Sequence, residues 1–314
     1  MAVDLRVRLG PLELPNPIVA ASGTFGHGDE VARRCDPGRL GAVTAKSQAP
    51  FAWAGNPPPR LQPTGAGLVN SVGLQGPGID RWIAHELPAL RARGARVIAS
   101  VWGHRVEDFR AGALALRPAA GELVAVEVNV SCPNLAAHGQ PFAYDAGQTG
   151  AAVQAVADAA LGLPTFAKLA PDVADLPAIA AAALAAGADG LTLVNTARAL
   201  LVDAELARPV LGAGTGGLSG APLKPIALRA VHEVAVAHVG VPIIGTGGVT
   251  TGLDAVELLL AGAAAVGVGT ASFLDPRATL RILDELEAWC QRHGVARVAD
   301  LTGALRASDR EETA

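Results

Sequence analysis

Short apolar runs and longer stretches of helical periodicity alternate along most of this chain. Runs of strand type fall at Pro17–Ala21, Gly41–Ala45, Arg96–Val101, Leu123–Val130, Pro164–Leu169, Gly190–Val194, Pro242–Gly245 and Ala264–Gly269. Helical patterns lie near His27–Arg34, Ile79–Arg93, Val106–Leu116, Thr149–Ala160, Leu176–Ala186, Pro222–His238, Leu253–Ala261 and Arg277–His293. Eight strands, each followed by a helix, predict α/β architecture closed into a parallel (β/α)8 TIM barrel. A doubly wound open sheet is the competing arrangement, but no Gly-x-Gly-x-x-Gly follows the first strand. Ahead of the barrel, Leu5 to Leu14 alternates around Gly10-Pro11 and predicts a short hairpin that plugs the barrel floor. No composition shift marks a linker, so residues 1–314 are expected to form a single domain.

Three connections are longer than a barrel requires: Ser47 to Gly78, Cys132 to Gly147 and Arg198 to Gly220. Each follows a strand, which puts all three on the C-terminal face, and loops of this length usually serve as lids or binding loops. The polar tail Ser308 to Ala314 is expected to fray.

Composition narrows the picture. The chain has 314 residues and a formal net charge of −4, which gives no argument for a nucleic-acid partner. No run approaches the roughly 18 to 20 apolar residues of a membrane span, and the first residues lack a signal-type apolar core. A cytoplasmic protein with no membrane partner is expected. Three scattered cysteines, Cys35, Cys132 and Cys290, include no Cys-x-x-Cys pair, so no metal or iron–sulfur site is expected within this chain. Cys35 and Cys290 read as structural.

The segment Asn129-Val-Ser-Cys-Pro-Asn134 delivers a thiol and two amides to the end of a buried strand. A thiolate can act as a base or nucleophile, and asparagines can hold a planar polar ligand by paired hydrogen bonds. A lone cysteine is most often an inert buried thiol, but here it stands just past the strand among polar groups. Lysine is the second clue. Of 25 basic residues only Lys46, Lys168 and Lys224 are lysines, and the first two end strands. Lys224, at a helix start, fits an ordinary snorkelling lysine. Side-chain alternation pairs Thr44 with Lys46, Glu127 with Asn129, Phe166 with Lys168 and Leu193 with Asn195 on common faces. With the polar-ended faces turned inward, the barrel top gathers two ammoniums, two amides and the thiol. Glu127 lies one layer lower, where a buried carboxylate needs a lysine or backbone donors. Glycine-rich turns follow strand seven (Gly245-Thr-Gly-Gly-Val249) and strand eight (Gly267-Val-Gly-Thr270), where barrels commonly bind phosphate. A third, Gly214 to Gly220, precedes a helix. Of seven histidines, His27, His104 and His138 are the loop candidates, each expected at the surface or behind the site.

These stretches resemble a known family over nearly the whole chain. Asn16 to Gly26, Gly55 to Arg60, Asn70 to Gly78, Asn129 to Asn134, Thr215 to Gly220, Gly245 to Gly248 and Gly269-Thr270 are similar to the class 1 dihydroorotate dehydrogenases. The cysteine sets the chain apart from class 2 enzymes, which use serine there. Ala-Ser-Gly-Thr-Phe-Gly resembles the 1B subgroup more than the 1A subgroup. The resemblance implies an FMN-containing barrel, with one FMN per chain, that oxidises dihydroorotate to orotate in pyrimidine biosynthesis. Cys132 would take the C5 proton while hydride leaves C6 for the flavin N5. Lys46, Asn70, Ser71, Val72, Gly73, Leu74, Asn129, Asn134, Asn195 and Thr196 would hold the substrate, with Lys46 also catalytic. Ser22, Lys46, Ser47, Ser100, Asn129, Lys168, Val194, Gly220, Gly247, Gly248, Gly269 and Thr270 would bind FMN. Ser100 stands where relatives often carry asparagine. The resemblance further implies a homodimer. A separate electron-transfer subunit carrying FAD and an iron–sulfur cluster would pass electrons to NAD in a heterotetramer.

Alternatives from the same reading are a fumarate-using dihydroorotate dehydrogenase, a different FMN barrel reductase acting on a pyrimidine, and a catalytically silent assembly partner. The asparagine set speaks against the second. Lysine retained at the expected strand ends speaks against the third.

Overall fold

A computed structural model describes residues 2–132 and 142–306. The eight expected strands all form. They are β1 (Ile18–Ala20), β2 (Ala42–Thr44), β3 (Val97–Val101), β4 (Ala125–Asn129), β5 (Thr165–Leu169), β6 (Gly190–Leu193), β7 (Ile243–Thr246) and β8 (Ala265–Val268). Every neighbouring pair is parallel, and β8 pairs with β1 to close the barrel. Nearly every strand residue is buried, since helices cover the outside and side chains fill the inside. Asn16 braces the barrel's opening turn. Its Nδ2 donates to the Arg39 carbonyl at 2.7 Å and its Oδ1 accepts from the Ile18 N–H at 3.1 Å.

The helices are α1 (Ile79–Ala92), α2 (Val106–Leu116), α3 (Ala146–Ala157), α4 (Leu176–Ala185), α5 (Lys224–Ala237), α6 (Gly252–Ala261), α7 (Ala271–Leu274) and α8 (Ala278–Arg292). Asp145 and Asp175 cap α3 and α4, accepting from Gln148 and Ala178. The helix expected near His27–Arg34 does not form. That stretch is a series of turns, in which the Glu30 carboxylate accepts from the His27 and Gly28 N–H groups. It runs into a 3-10 turn at Pro37–Arg39. So few residues before a proline cannot offset the cost of helix nucleation. Instead α8 packs against β1 and completes the outer layer.

The hairpin forms as Val7–Leu9 paired with Leu12–Leu14, with its apolar side chains buried. Gly10 lies against Pro242 and the Asp189 carbonyl, just before β7 and β6, so the hairpin does sit under the N-terminal end. The long connections after β2 and β6 are not simply loops. Leu61–Pro63, Gly67–Asn70, Ala197–Leu200 and Thr215–Gly220 form a four-stranded antiparallel sheet. Glycine permits its close backbone approach: a Cβ on Gly216 would sit 2.5 Å from the Asn70 carbonyl. The expected frayed tail lies outside the described residues. Among the described residues, no helix is long and apolar enough to cross a membrane.

Lys224 is more than a snorkelling side chain. Its ammonium meets Asp254 at 2.7 Å and Glu257 at 2.8 Å, tying the start of α5 to α6. Asp254 also accepts from the Thr250 hydroxyl and the N–H groups of Thr250 and Thr251. Burial alone would raise its carboxyl, but Lys224 and Thr250 outweigh that and hold it down at about 2. A carboxylate with a depressed folded pKa stabilises the fold above its unfolded value and stops doing so as pH falls through the folded one. Asp254→Asn should therefore cost about 2 kcal/mol at pH 7. Urea unfolding across a pH series should show that difference shrinking below pH 4 and gone near pH 2.

Candidate functional site

One deep cavity opens at the C-terminal end of the strands, and most of the expected site residues line it. The strand ends supply Lys46 two residues past β2, Asn129 at the end of β4, Lys168 within β5, and Val194, Asn195 and Thr196 after β6. Ser22 and Ser47 enter from the turns after β1 and β2. Asn70, Val72, Gly73 and Leu74 come from the last accessory-sheet strand of the β2 connection and the loop beyond it. Gly220, Gly247, Gly248, Gly269 and Thr270 form the side nearest β7 and β8. Cys132 closes the ring.

Two expected lining residues lie elsewhere. Ser71 does not line the cavity; it is fully buried and its N–H donates to the Arg60 carbonyl at 2.7 Å. Ser100 is also buried one layer back, because β3 turns its side chain toward the barrel axis below the cavity floor. It touches Ser47 (2.8 Å between hydroxyl oxygens) and Glu127, so it supports a lining residue without being one. Asn134 lies outside the described residues, as does His138. His27 and His104 are not in the cavity lining. His27 lines a separate shallow cleft with Glu30, Gln75 and Glu86, where burial lowers its pKa. His104 stacks on Phe51, with ring centroids 5.8 Å apart.

The lining residues hold one another by a continuous set of polar contacts. Asn129 Nδ2 donates to Ser47 Oγ at 2.9 Å, and its Oδ1 accepts from the Ser131 hydroxyl at 3.2 Å. Asn195 Nδ2 donates to the same Ser131 hydroxyl at 3.1 Å, while its Oδ1 accepts from the Thr196 N–H. Two amides on neighbouring sides of the cleft are therefore oriented by one serine. Lys168 and Glu127, both nearly fully buried, face each other at 3.9 Å, which gives the carboxylate the lysine partner its burial requires. Lys46 lies across Gly23. Burial pushes its ammonium below the usual lysine range; the Cys132 sulfur opposes this and the Lys168 ammonium adds to it.

Cys132 belongs to a small apolar cluster separate from the main core, with Ala49, Leu74 and Trp102 and the flanking rings of Phe51 and Trp53. The sulfur therefore meets dry side chains on one side and the cleft on the other. Cys35 and Cys290 are buried in the main core; Cys35 Sγ contacts the Thr279 hydroxyl at 3.0 Å, and burial raises both thiols.

Several lining residues had no separate signal. Thr246 was visible within the Gly245 to Gly248 motif, and strand alternation could have assigned it: its hydroxyl is buried with no partner among the described residues. Ser219, which accepts from Thr270 Oγ1 at 2.8 Å, and Leu61 and Leu68 come from the accessory sheet. Short glycine-rich strands do not announce themselves.

The cavity offers groups for a ligand that carries a phosphate and a planar polar ring. Gly220, Gly247 and Gly248 have φ of +87°, +137° and +76°, so the wall near β7 and β8 is built of backbone that side chains would disturb. Such a wall can bring N–H groups to a phosphate. Lys46, Lys168 and the orphan Thr246 hydroxyl offer donors for a polar ring edge. Among the described residues no group of three or more His, Cys, Asp and Glu could hold a metal.

The chain is similar to known proteins in sequence and in fold. The sequence model of the dihydroorotate dehydrogenase family matches residues 4–289. The catalytic subunit of dihydroorotate dehydrogenase B (NAD(+)) from Alkaliphilus metalliredigens is 42% identical over 96% of this chain and 99% of its own length. A Solibacter usitatus protein provisionally assigned as dihydroorotate dehydrogenase A (fumarate) is 44% identical over 98% of this chain and 100% of its own. The crystal structure of an Eimeria tenella DHODH in complex with ferulenol shares the fold, with a TM-score of 0.77 at 24% identity, covering 96% of this chain and 88% of that one.

Gly248 offers a direct check on the glycine wall. A Cβ there would fall 2.5 Å from the Lys224 backbone nitrogen at the start of α5. Gly248→Ala should lose about 1–3 kcal/mol of unfolding free energy from the backbone conformation alone. Chemical denaturation that shows no loss would mean that the wall is not conformationally committed.

Proposed function

We propose that this chain, which belongs to the dihydroorotate dehydrogenase family, oxidises (S)-dihydroorotate to orotate in de novo pyrimidine biosynthesis. The observation that carries the reading is the convergence of Cys132, Lys46 and the amides of Asn70, Asn129 and Asn195 on one cleft beside a glycine wall. The family is flavin-dependent, and we assign one FMN to each chain. When bound, FMN supplies the acceptor for the hydride that leaves C6.

The chain's own residues do the rest. Cys132 Sγ takes the proton from C5, a weakly acidic position beside a carbonyl that needs a positioned base shielded from water. The cluster of Ala49, Leu74 and Trp102 supplies that shielding on the protein side. Lys46 meets the substrate carboxylate. Asn70, Asn129 and Asn195, with Asn134 beyond the described residues, hold the ring amides, and Val72, Gly73, Leu74 and Thr196 complete that wall. Ser22, Ser47, Lys168, Val194, Gly220, Gly247, Gly248, Gly269 and Thr270 hold FMN, and Ser100 acts through Ser47. An ammonium at Lys168 favours the negative charge that hydride arrival brings to the ring.

For the electron acceptor, we favour NAD reached through a second subunit carrying FAD and an iron–sulfur cluster. The Alkaliphilus relative is the catalytic subunit of a dihydroorotate dehydrogenase B (NAD(+)), and this chain has no Cys-x-x-Cys pair with which to build a cluster. Direct use of fumarate is the second reading, favoured by the Solibacter relative. The same assignment makes the protein a cytoplasmic homodimer, or a heterotetramer with the electron-transfer subunit. Exposed Leu200, Val202 and Leu206 offer apolar surface for such assembly.

Purified protein should be yellow and bleach with dihydroorotate under anaerobic conditions. Cys132→Ala should stay yellow and bleach about 10²–10⁴-fold more slowly. Near-normal bleaching would remove Cys132 from the chemistry. The lowered Lys46 pKa predicts a second effect. The ammonium is present below that value and lost as pH rises through it, earlier than the 10.5 of a free lysine. KM for dihydroorotate should therefore begin to rise before pH 10.5, separately from kcat. A KM that stays flat through that range would take the substrate carboxylate away from Lys46.

A further inference from the structure

We infer that Glu127, a carboxylate outside the residues assigned above, sets both the charge balance and the hydrogen-bond direction of the site. The inference rests on the flavin reading of the cavity. Glu127 faces inward on β4, two residues before Asn129, and is 3% exposed. Its Oε1 lies 3.9 Å from Lys168 Nζ and accepts from Ser100 Oγ at 3.1 Å.

From there a single line of contacts runs to the cleft. Ser100 and Ser47 hydroxyl oxygens are 2.8 Å apart, and Asn129 Nδ2 donates to Ser47 at 2.9 Å. The two ends of this line leave no choice of direction. The Ser131 N–H can only donate, so it holds Asn129 Oδ1 and turns Nδ2 toward Ser47. An ionised carboxylate can only accept. The one proton of Ser100 therefore goes to Glu127, and that of Ser47 goes to Ser100. Ser22 Oγ donates to the Ala45 carbonyl at 2.9 Å and stands 3.2 Å from Ser47 Oγ. With both protons committed, Ser22 and Ser47 meet the cavity as acceptors, suited to a ligand that brings N–H or O–H groups.

Charge follows the same residue. Lys46 and Lys168 bring two positive charges to the lining of one cleft. Glu127 is the anion paired with Lys168. Among the described residues it touches the site through Lys168 and Ser100, which makes it a positioning residue. An amide of the same shape at position 127 would remove the charge and could donate to Ser100, reversing the line at that point.

The test uses the apoprotein titrated with FMN by fluorescence quenching, and the midpoint potential of the reconstituted protein. Glu127→Gln should weaken FMN binding about tenfold, the equivalent of one charged hydrogen bond. It should also move the midpoint potential to a more positive value, because the ammonium of Lys168 then acts unopposed on the added negative charge. Glu127→Asp, which keeps the charge, should hold the potential near that of the wild type. Ser100→Ala should weaken FMN binding several-fold without moving the potential, and it serves on its own if the Gln variant does not fold. An unshifted or more negative potential in Glu127→Gln overturns the inference, as does an Asp variant that shifts like Gln or a Ser100→Ala protein that binds FMN like wild type. A wild-type chain that binds no FMN overturns the flavin reading as well, which separates the two failures.

Discussion

Two ammonium groups cannot share a desolvated cleft without an anion to accompany them, and the architecture of this site follows from that constraint. Lys46 and Lys168 reach the same cavity from β2 and β5, which β3 and β4 separate in the barrel. Lys168 is almost fully buried and Lys46 partly so, which leaves both charges less screened than they would be at the surface. Glu127 is placed one layer deeper by the two-residue repeat of β4, where it can face Lys168 while Asn129 reaches the cleft. A surface pair such as Arg281 with Glu285 contributes little by comparison, because solvent competes for both partners.

The apolar cluster around Cys132 is the complement to that polar floor. Ala49 and Leu74 come from the connection after β2 and Trp102 from the one after β3, yet they meet at one sulfur. A base has to be held still and kept dry, whereas a planar ring has to be gripped at its edges. The cleft divides these tasks between its walls: aromatic and aliphatic side chains by Cys132, amides and hydroxyls across from it, and bare backbone near β7 and β8.

Much of this was legible in the sequence because each signal had a single physical meaning. Short apolar runs bounded by turn residues fit strands buried on both faces, and all eight were placed within two residues of their ends. Alternation along β4 and β5 put Glu127, Asn129 and Lys168 on the inward faces. Signals failed where backbone competes with pattern. His27–Arg34 has the composition of a helix, but so short a stretch before Pro37 does not offset nucleation and settles into turns instead. The accessory sheet was hidden because glycine-rich strands of three to six residues look like loop, and their pairing joins segments far apart in the chain. The resemblance implied a cofactor contact at Ser100, whereas its depth on β3 leaves it behind Ser47.

That long-range pairing has a consequence for how the protein comes into being. Asn70 pairs with Gly217, 147 residues later, and β1 waits for β8. A nascent chain on the ribosome therefore carries Cys132 and both cleft lysines well before the strand that roofs them exists. Contacts so distant in sequence form slowly. The pocket is finished only after most of the polypeptide has been made, so prosthetic-group loading is an event of the completed molecule and not of its emerging N-terminal half.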